Sequence, residues 1–286
     1  MKNPLARLLT LILAWLSLLP AALSAGPPAN TPLVLAVLPY LPAPEIERRF
    51  APLAARLSEA LRRPVQVRVG QSYKQHLAAI GGDQVDIAYI GPASYVRMVE
   101  RYGRKPILAR LEVTGEPGLR GVIAVHRDSP LTRVDMLKGR SMAFGAADSR
   151  AGHLLPHYQL LQSGVRLRDL GHHRFLGTHR DVALAVLAGD FDAGGLKQEV
   201  FQEYAGRGLR ALAVSPAVPE YLFVARATLP PADVERLRHT LLNLHRDAAG
   251  RDVLKRLHPG LSALVGADDA DYDGLRRMMR AVDADA

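Results

Sequence analysis

Short apolar segments alternate with longer amphipathic ones from residue 33 onward, and this alternation constrains the fold more than any other feature. Residues 33–38 form the first apolar segment, and between residues 43 and 61 apolar side chains recur every three or four positions. Runs of the first kind are typical of strands and runs of the second kind of helices. Strands and helices in alternation build α/β folds. We therefore expect an α/β fold of two lobes, with sheets flanked by helices and a cleft between the lobes.

The pattern also predicts the order of the elements. A Gly- and Pro-rich loop at residues 114–118 marks a crossing from a first lobe to a second. We assign residues 31–115 and 226–286 to lobe 1 and residues 116–225 to lobe 2. Predicted strands cover residues 33–38, 65–69, 85–90, 107–112, 121–126, 141–146, 173–176, 191–196, 209–214 and 221–224. Predicted helices cover residues 43–61, 73–80, the segment from 92, 149–162, 181–187, 231–246, 251–257 and 272–282.

Residues 1–25 have the pattern of a secretory signal peptide. Lys2 and Arg7 precede an apolar run at 8–19, and small residues follow up to Ala25. The apolar run is shorter than the roughly 20 residues that a membrane-spanning helix needs. We favour cleavage after Ser24 over cleavage after Ala25, which would put Leu23 at a less usual position, and we expect export of the rest of the chain to the periplasm without a membrane anchor.

Composition excludes several classes of site. The chain has no cysteine, so disulfides, thiolate zinc sites and cysteine nucleophiles are excluded. The formal charge of +9 is spread singly among acidic residues, without the blocks of like charge that mark nucleic-acid-binding tails. A positive surface steers small anions toward a protein. We therefore do not expect a nucleic acid as partner, and an ordinary solvated surface is the alternative to anion steering.

Motif searches give mostly negative results. Neither a P-loop, a dinucleotide fingerprint, a GxSxG elbow nor an HExxH pair occurs, so we expect no cofactor. His153 and His157 have the spacing of two metal ligands on a helix, but Pro156 separates them and a third ligand is missing, so we expect no metal. Ser149 and His153 lack the third group of a catalytic triad. We expect no catalysis.

One segment points to a binding site. A predicted strand ends near Ala146, and the next helix begins at Asp148 or Ser149, both good N-cap residues. Free N–H groups and the helix dipole attract anions there, and the Ser149 hydroxyl and the Arg150 guanidinium add donors. The alternative is an ordinary helix cap with Arg150 in solvent.

Motifs along the chain resemble those of a known family. They are Asp86-Ile-Ala-Tyr-Ile-Gly-Pro92, Asp128-Ser-Pro-Leu131 with Leu137-Lys-Gly139, Ser149-Arg-Ala-Gly-His-Leu-Leu-Pro156, Gly177-Thr-His179 and Phe191-Asp-Ala193. In order and spacing they are similar to motifs of the solute-binding proteins of phosphonate, phosphite and phosphate import systems. The resemblance implies a type II periplasmic binding fold that serves an ATP-driven importer.

The resemblance also implies ligand contacts. Tyr73, Ser149 and His179 match a tyrosine, a serine and an oxyanion-binding histidine of the family. Arg150 and Ala151 replace a threonine and a second serine, so hydroxyl donors are lost and a permanent cation is gained. Whether Arg150 faces the cleft stays open.

Two tyrosines extend this predicted site. Ile90 replaces a family tyrosine, but Tyr89 is its neighbour, and alternation along a strand places the two side chains on opposite faces. Tyr40 ends the first predicted strand at the expected cleft. We include Tyr40 and Tyr89 as candidate contacts.

Two carboxylates hold the amine of aminoalkylphosphonates in some family members. Their positions fall near Glu199 and on Tyr221, so one carboxylate is missing. We therefore expect a compact phosphorus oxyanion, either phosphate, phosphite or a small phosphonate, delivered by a monomer to a membrane permease. Two alternatives stay open, a sensor that presents its anion to a membrane histidine kinase and an enzyme built on the same fold.

Overall fold

Eleven strands form two sheets in the computed structural model, which describes residues 31–116 and 118–285. The predicted signal peptide lies outside the described residues. From Pro32 onward the chain is one compact unit. The first sheet contains β1 Leu33–Val37, β2 Val65–Val69, β3 Ile87–Ile90, β4 Ile107–Val113, β10 Leu222–Ala225 and β11 Leu261–Val265. The second sheet contains β5 Gly121–His126, β6 Ser141–Phe144, β7 His172–Phe175, β8 Ala193–Lys197 and β9 Leu209–Val214.

Helices follow most of these strands. The α-helices are α1 Ala43–Leu61, α2 Tyr73–Gly81, α3 Pro92–Tyr102, α4 Leu155–Gln162, α5 His179–Ala188, α6 Gln198–Ala205, α7 Pro231–Asn243, α8 Ala248–Leu257 and α9 Asp273–Asp283. A π-helical turn at Arg150–Leu154 precedes α4. Short 3₁₀ turns lie at Val134–Leu137, Leu167–Asp169, Leu244–Arg246 and Asp269–Tyr272.

Both sheets are mixed. The first has the strand order β11-β4-β10-β3-β1-β2, with β3, β1 and β2 parallel and β10, β4 and β11 paired antiparallel. The second has the order β7-β6-β8-β5-β9, with β7, β6 and β8 parallel and β5 antiparallel to both of its neighbours. Parallel strands need crossover helices, which accounts for the predicted alternation of strand and helix. The predicted α/β class is confirmed.

The apolar spacing of α1 explains how one helix covers the first sheet. Ile46, Phe50, Leu53 and Leu57 recur every three or four residues and are fully buried against that sheet. Residues at this spacing lie on one face of a helix. Burial of such side chains contributes roughly 1.5–3 kcal/mol each. This apolar face therefore holds α1 against the first sheet.

Two features differ from the prediction. The strand Leu222–Ala225 pairs with β3 and β4 in the first sheet, whereas we placed residues up to 225 in the second lobe. The strand Leu261–Val265 was not predicted, because only two of its five side chains are buried and the flanking segments are helical. Both corrections add an antiparallel strand to the first sheet.

Three segments connect the two lobes. Two of them are the stretches of chain that cross between the lobes near Leu119 and near Val218. These two residues pair as an antiparallel bridge, and the Ser215 hydroxyl accepts a hydrogen bond from the Gly121 N–H at 2.9 Å. The third connection is α9, whose Met278 and Met279 share a hydrophobic cluster with Ala151 of the second lobe. Within the two described ranges, no helix combines the length and hydropathy of a membrane span.

A candidate anion site between the lobes

A cavity of about 660 Å³ lies between the lobes, and we call it the interlobe cavity. The first lobe contributes the starts of α2 and α3 and the end of β1, and the second lobe contributes the segment before α4. Its lining residues are Leu38, Tyr73, Lys74, Leu77, Gly91, Pro92, Ala93, Ser94, Arg97, Ala147, Asp148, Ser149, Arg150, His153, Leu154, Tyr221, Met279, Val282 and Asp283. Of the predicted contacts, Tyr73, Ser149, Arg150 and Tyr221 therefore meet in one cavity.

The start of α3 gives the cavity free hydrogen-bond donors. Gly91 is the N-cap, Pro92 is the first helical residue, and among the described residues no side chain caps this start. The first N–H groups of a helix have no partner within it and carry the positive end of the dipole. Pro92 has no N–H, so the N–H groups of Ala93 and Ser94, together with the Ser94 hydroxyl, are the donors on this wall.

Ser149 organises the facing wall. Its hydroxyl accepts a hydrogen bond from the Gly152 N–H at 3.0 Å, and its carbonyl accepts one at 3.1 Å from each of the His153 and Leu154 N–H groups. This double acceptance makes the turn π-helical, where the sequence predicted a regular α-helix. The N–H groups of Arg150 and Ala151 are left at the start of the turn. Ala151 itself is buried in a hydrophobic cluster and is not among the residues that line the cavity.

His179 lies beside Ser149, at the start of α5. Its Nδ1 accepts the Lys197 N–H at 3.2 Å, so the neutral ring carries its proton on Nε2 as a donor. Burial lowers the pKa of His179, and the nearby Lys197 lowers it further. A Cβ atom built on Gly152 would lie 2.8 Å from His179 Cε1 and 3.1 Å from Ser149 Oγ. Gly152 therefore lets the two predicted contacts come together.

Arg150 binds the segment that leads back to the first lobe. Its guanidinium donates a long hydrogen bond of 3.4 Å to the Pro219 carbonyl, lies 3.6 Å from a Glu220 carboxylate oxygen and stands 5.2 Å from the centre of the Tyr221 ring. The side chains of Arg150 and Glu220 are 16% and 13% exposed. Arg150 thus lines the interlobe cavity while already paired with an internal carboxylate.

Tyrosines form the wall behind Arg150. Tyr89 is buried, stacks on Tyr221 at 5.2 Å between ring centres and lies 6.3 Å from Tyr40. Tyr40 and Tyr89 support Tyr221 and do not line the cavity. The Tyr40 hydroxyl is buried with no hydrogen-bond partner among the described residues. Burial raises the pKa of Tyr40 and of Tyr89, so both phenols stay protonated donors.

Glu199 lies away from the cavity lining. Its side chain is 54% exposed and pairs with Lys197 at 3.5 Å. Tyr73 lines the cavity and is half exposed. Glu220, whose carboxylate lies 3.6 Å from Arg150, directly precedes Tyr221. Tyr221 is the position at which the family resemblance implied a missing carboxylate.

Most of the lining residues were missed by sequence reasoning, among them Ser94, Arg97, Lys74 and Asp148. Ser94 and Arg97 follow the Gly-Pro start of α3, Lys74 follows Tyr73, and Asp148 precedes Ser149. The Gly-Pro step after a buried strand was the available signal for Ser94 and Arg97. A Cβ on Gly91 would come 3.1 Å from the Tyr221 ring, so glycine lets that ring approach the helix start.

His153 and His157 have separate partners. His153 Nδ1 donates to the Ala147 carbonyl at 2.7 Å, and His157 Nε2 lies 2.9 Å from the Asp285 carboxylate. In the described part of the chain, no group of three histidine or acidic side chains is arranged to hold a metal ion. His153 and His157 therefore each contact a different protein group, the Ala147 carbonyl and the Asp285 carboxylate.

Similar proteins share this fold. The solved structures include XAC2383 from Xanthomonas citri bound to ATP, with a TM-score of 0.69, 22% identity and coverage of 89% of this chain and 98% of that one. They also include PhnD1 from Prochlorococcus marinus in complex with methylphosphonate, with a TM-score of 0.65, 21% identity and coverage of 88% and 98%. Both solved structures therefore share the fold described above.

Sequence comparisons define the family. A probable phosphite-binding protein of an ABC transporter in Prochlorococcus marinus is 24% identical over 217 residues, which are 70% of this chain and 72% of that protein. The phosphonates-binding periplasmic protein of Escherichia coli is 27% identical over 186 residues, but these cover 61% of this chain and only 55% of that protein. Residues 35–272 match the family described as "ABC transporter, phosphonate, periplasmic substrate-binding protein". The members are transporter components rather than enzymes, and the chain belongs to this family of periplasmic substrate-binding proteins.

Proposed function

We propose that this protein captures a small phosphorus oxyanion, either phosphate, phosphite or a small phosphonate, and delivers it to the permease of an ABC importer. The observation that carries the proposal is the uncapped start of α3 facing the Ser149 turn across one cavity. Each wall supplies backbone N–H groups and a hydroxyl. An oxyanion with several acceptor oxygens satisfies donors from both walls at once.

An anion that binds both walls of the cavity links the two lobes. Donors from Ser94 belong to the first lobe and donors from the Ser149 turn to the second, whereas His179 is not among the residues that line the cavity. An anion held by both sets of donors draws the lobes together and leaves water behind, which strengthens each hydrogen bond in the site. The permease then reads the closed form. Recognition of the ligand by shape change requires no chemical step.

The relatives support the ligand class. One relative is named as phosphite-binding, one as phosphonates-binding, and one related structure holds methylphosphonate. In this chain Glu199 is exposed and paired with Lys197, and Glu220 is paired with Arg150. Neither of these two carboxylates is free for a ligand amine, whereas Asp148 and Asp283 line the cavity, so the aminoethylphosphonate arm of the test below decides between ligands with and without an amine. The histidine-kinase alternative has no observation in its favour.

Thermal unfolding tests the proposal. The exported portion of the chain is dialysed and heated with phosphate, phosphite, methylphosphonate, aminoethylphosphonate or sulfate. A ligand at about one hundred times its Kd adds roughly 2.7 kcal/mol, which raises the Tm by several degrees. Ser149→Ala should abolish the shift, whereas Ser129→Ala, in a turn outside the cavity, should keep it. No shift with any phosphorus compound would overturn the proposed function.

A further inference from the structure

A second cavity, of about 430 Å³, shares no lining residue with the interlobe cavity. Its walls come mainly from α4, from α9 with the turn before it, and from the crossing segment at residues 216–219. We call it the hinge cavity, because the crossing segment and α9 are two of the three connections between the lobes. Volumes of roughly 300–1,000 Å³ are typical of small-molecule sites. The hinge cavity is therefore large enough for a ligand of its own.

Gln159 presents an unsatisfied polar group at this cavity. The residue lines the cavity from α4 and is 9% exposed. Its side-chain Oε1 is buried and has no hydrogen-bond partner among the described residues. A buried amide oxygen without a partner costs free energy, and folded proteins keep few of them. A ligand that brings an N–H donor into the hinge cavity removes this cost.

The hinge cavity also has one side chain of each charge. Arg277 lines it from α9, is exposed, and forms no ion pair within the described part of the chain. Asp271 lines it from the turn before α9, and its Oδ2 accepts a hydrogen bond from the Asp268 N–H at 2.9 Å. The lining therefore has no net formal charge, whereas three cations and two anions line the interlobe cavity. A ligand with one charge of each sign complements the hinge cavity, and a simple anion does not.

We propose that the hinge cavity is a second binding site, for a zwitterionic small molecule with an N–H donor between its charged ends, and that a dipeptide is the simplest member of this class. The peptide N–H donates to Gln159 Oε1, the carboxylate pairs with Arg277, and the ammonium group pairs with Asp271. This site does not depend on the proposed function, because it shares no lining residue with the anion site and takes a ligand of different charge.

The two cavities are linked through the elements between them. Met278 and Met279, adjacent residues of α9, line the hinge cavity and the interlobe cavity respectively. Pro219 lines the hinge cavity, and its carbonyl accepts the 3.4 Å hydrogen bond from Arg150, which lines the interlobe cavity. A dipeptide that holds the crossing segment in place keeps Glu220 beside Arg150, where it competes with an anion. Dipeptide binding should therefore weaken phosphite binding, and by thermodynamic linkage phosphite should weaken dipeptide binding by the same factor.

Titration calorimetry of the exported portion of the chain with alanyl-alanine tests the site. We expect saturable binding of one dipeptide per chain with a Kd below about 1 mM. N-acetyl-alanyl-alanine and alanyl-alaninamide each lack one charge and should bind at least about threefold more weakly, which is the size expected for exposed ion pairs. At saturating alanyl-alanine, the Kd for phosphite should rise about fivefold or more.

Variants of two lining residues test the assigned contacts. Gln159→Leu should weaken dipeptide binding at least about tenfold, because the peptide N–H loses its acceptor. It should not lower the Tm, because the amide oxygen has no partner to lose. Arg277→Gln should weaken dipeptide binding at least about threefold. Arg280→Gln, on the same helix but outside the hinge-cavity lining, is the matched control and should leave dipeptide affinity unchanged.

Failure of alanyl-alanine to bind overturns the assignment. So does a Gln159→Leu variant that binds the dipeptide as well as the wild type, or one that loses several degrees of Tm, since that loss would make the amide a structural group. Phosphite binding without dipeptide binding removes only the hinge site, and dipeptide binding without phosphite binding removes only the proposed function. An unchanged phosphite Kd at saturating alanyl-alanine removes the link between the cavities and supports the site alone.

Discussion

The guanidinium of Arg150 lies 3.6 Å from the carboxylate of Glu220, and both side chains are largely shielded from water. The pair joins the Ser149 turn of the second lobe to the segment that returns to the first. An oxyanion that reaches Arg150 must therefore compete with an internal carboxylate. Glu220→Gln removes this competitor, and we expect phosphite affinity to rise by roughly threefold to tenfold. Calorimetry measures the change.

The same pair makes a prediction about stability. Arg150→Ala leaves the Glu220 carboxylate shielded and unpaired, which should cost about 2 kcal/mol in the free energy of unfolding. The double variant Arg150→Ala with Glu220→Gln should recover most of that loss. Denaturant unfolding of the four proteins of this cycle gives the coupling. Additive losses, in which the double variant loses the sum of the two single losses, would show that the two charges do not interact.

Gly152 controls the approach of His179 to Ser149. In Gly152→Ala the new Cβ would meet His179 Cε1 at 2.8 Å and the Gly145 Cα at 3.0 Å, and the second of these is backbone. We expect a loss of roughly 1–3 kcal/mol in stability and at least about tenfold weaker anion binding. Gly206→Ala places the same methyl group in open space and is the matched control. Unchanged binding in Gly152→Ala would separate His179 from the site.

Asp285 fastens the end of the described chain to the second lobe. Its carboxylate accepts hydrogen bonds from His157 Nε2 at 2.9 Å and from the Leu167 N–H at 3.3 Å. Burial alone would raise the pKa of Asp285, but these bonds outweigh burial and lower it. Because the pKa of folded Asp285 is lowered, the stabilisation is fully present at pH values above the ordinary pKa of aspartate. It is lost as the pH falls through the pKa of the folded state.

Asp285→Ala should therefore lower the free energy of unfolding at neutral pH by roughly 1–3 kcal/mol, since His157 is 1% exposed and loses its Nε2 partner. The loss should shrink as the pH falls below about 4, the ordinary aspartate value, and should vanish only below the lowered pKa of folded Asp285, where the wild-type carboxylate is protonated as well. Asp252→Ala removes an exposed carboxylate and should be nearly neutral. Denaturant unfolding at several pH values decides the matter.

Mild acid should destabilise the fold through His76. This side chain is 3% exposed and donates from Nε2 to the Tyr89 carbonyl at 3.0 Å. Burial lowers its pKa, although that hydrogen bond acts in the opposite sense. The folded state thus takes up the proton less readily than the unfolded chain. The stabilisation that neutral His76 contributes is complete above about pH 6.5, the pKa of histidine in the unfolded chain. It is lost as the pH falls toward the lower pKa of the folded state.

A Tm profile from pH 7.5 to pH 5 checks this sign. The wild-type Tm should fall across the window, and His76→Gln should fall less steeply. Burial also lowers the pKa of His153, His179 and His258, so part of the slope should remain in the variant. Identical slopes in the two proteins would remove His76 as a contributor.

Sequence reasoning found the elements whose signal is local. The helix α1 is defined by apolar side chains such as Ile46 and Phe50 at helical spacing, and Ser149 and His179 follow from N-cap chemistry and motif resemblance. The π-turn was not predictable in this way, because it depends on the Ser149 carbonyl accepting two N–H groups at once. The spacing of apolar residues does not indicate whether one or two N–H groups bind this carbonyl.

Long-range pairing decided the rest. The position of Glu220 beside Arg150 depends on the bridge between Leu119 and Val218, which sets where the returning segment lies. These partners are about one hundred residues apart in sequence, and no local pattern encodes their register. The role of α9 as a wall of the cavity was unpredictable for the same reason. Helical periodicity identifies its buried face but not the surface against which that face packs.

The stack of Tyr89 on Tyr221 has a practical optical consequence. Trp15 is the single tryptophan of the sequence and lies in the predicted signal peptide. A protein from which that segment has been removed therefore emits only tyrosine fluorescence when excited in the near ultraviolet. Tyr73 and Tyr221 line the cavity, and Tyr89 contacts the ring of Tyr221. Capture of the proposed ligand should alter the surroundings of these emitters directly, so the tyrosine emission of the unlabelled protein should report occupancy.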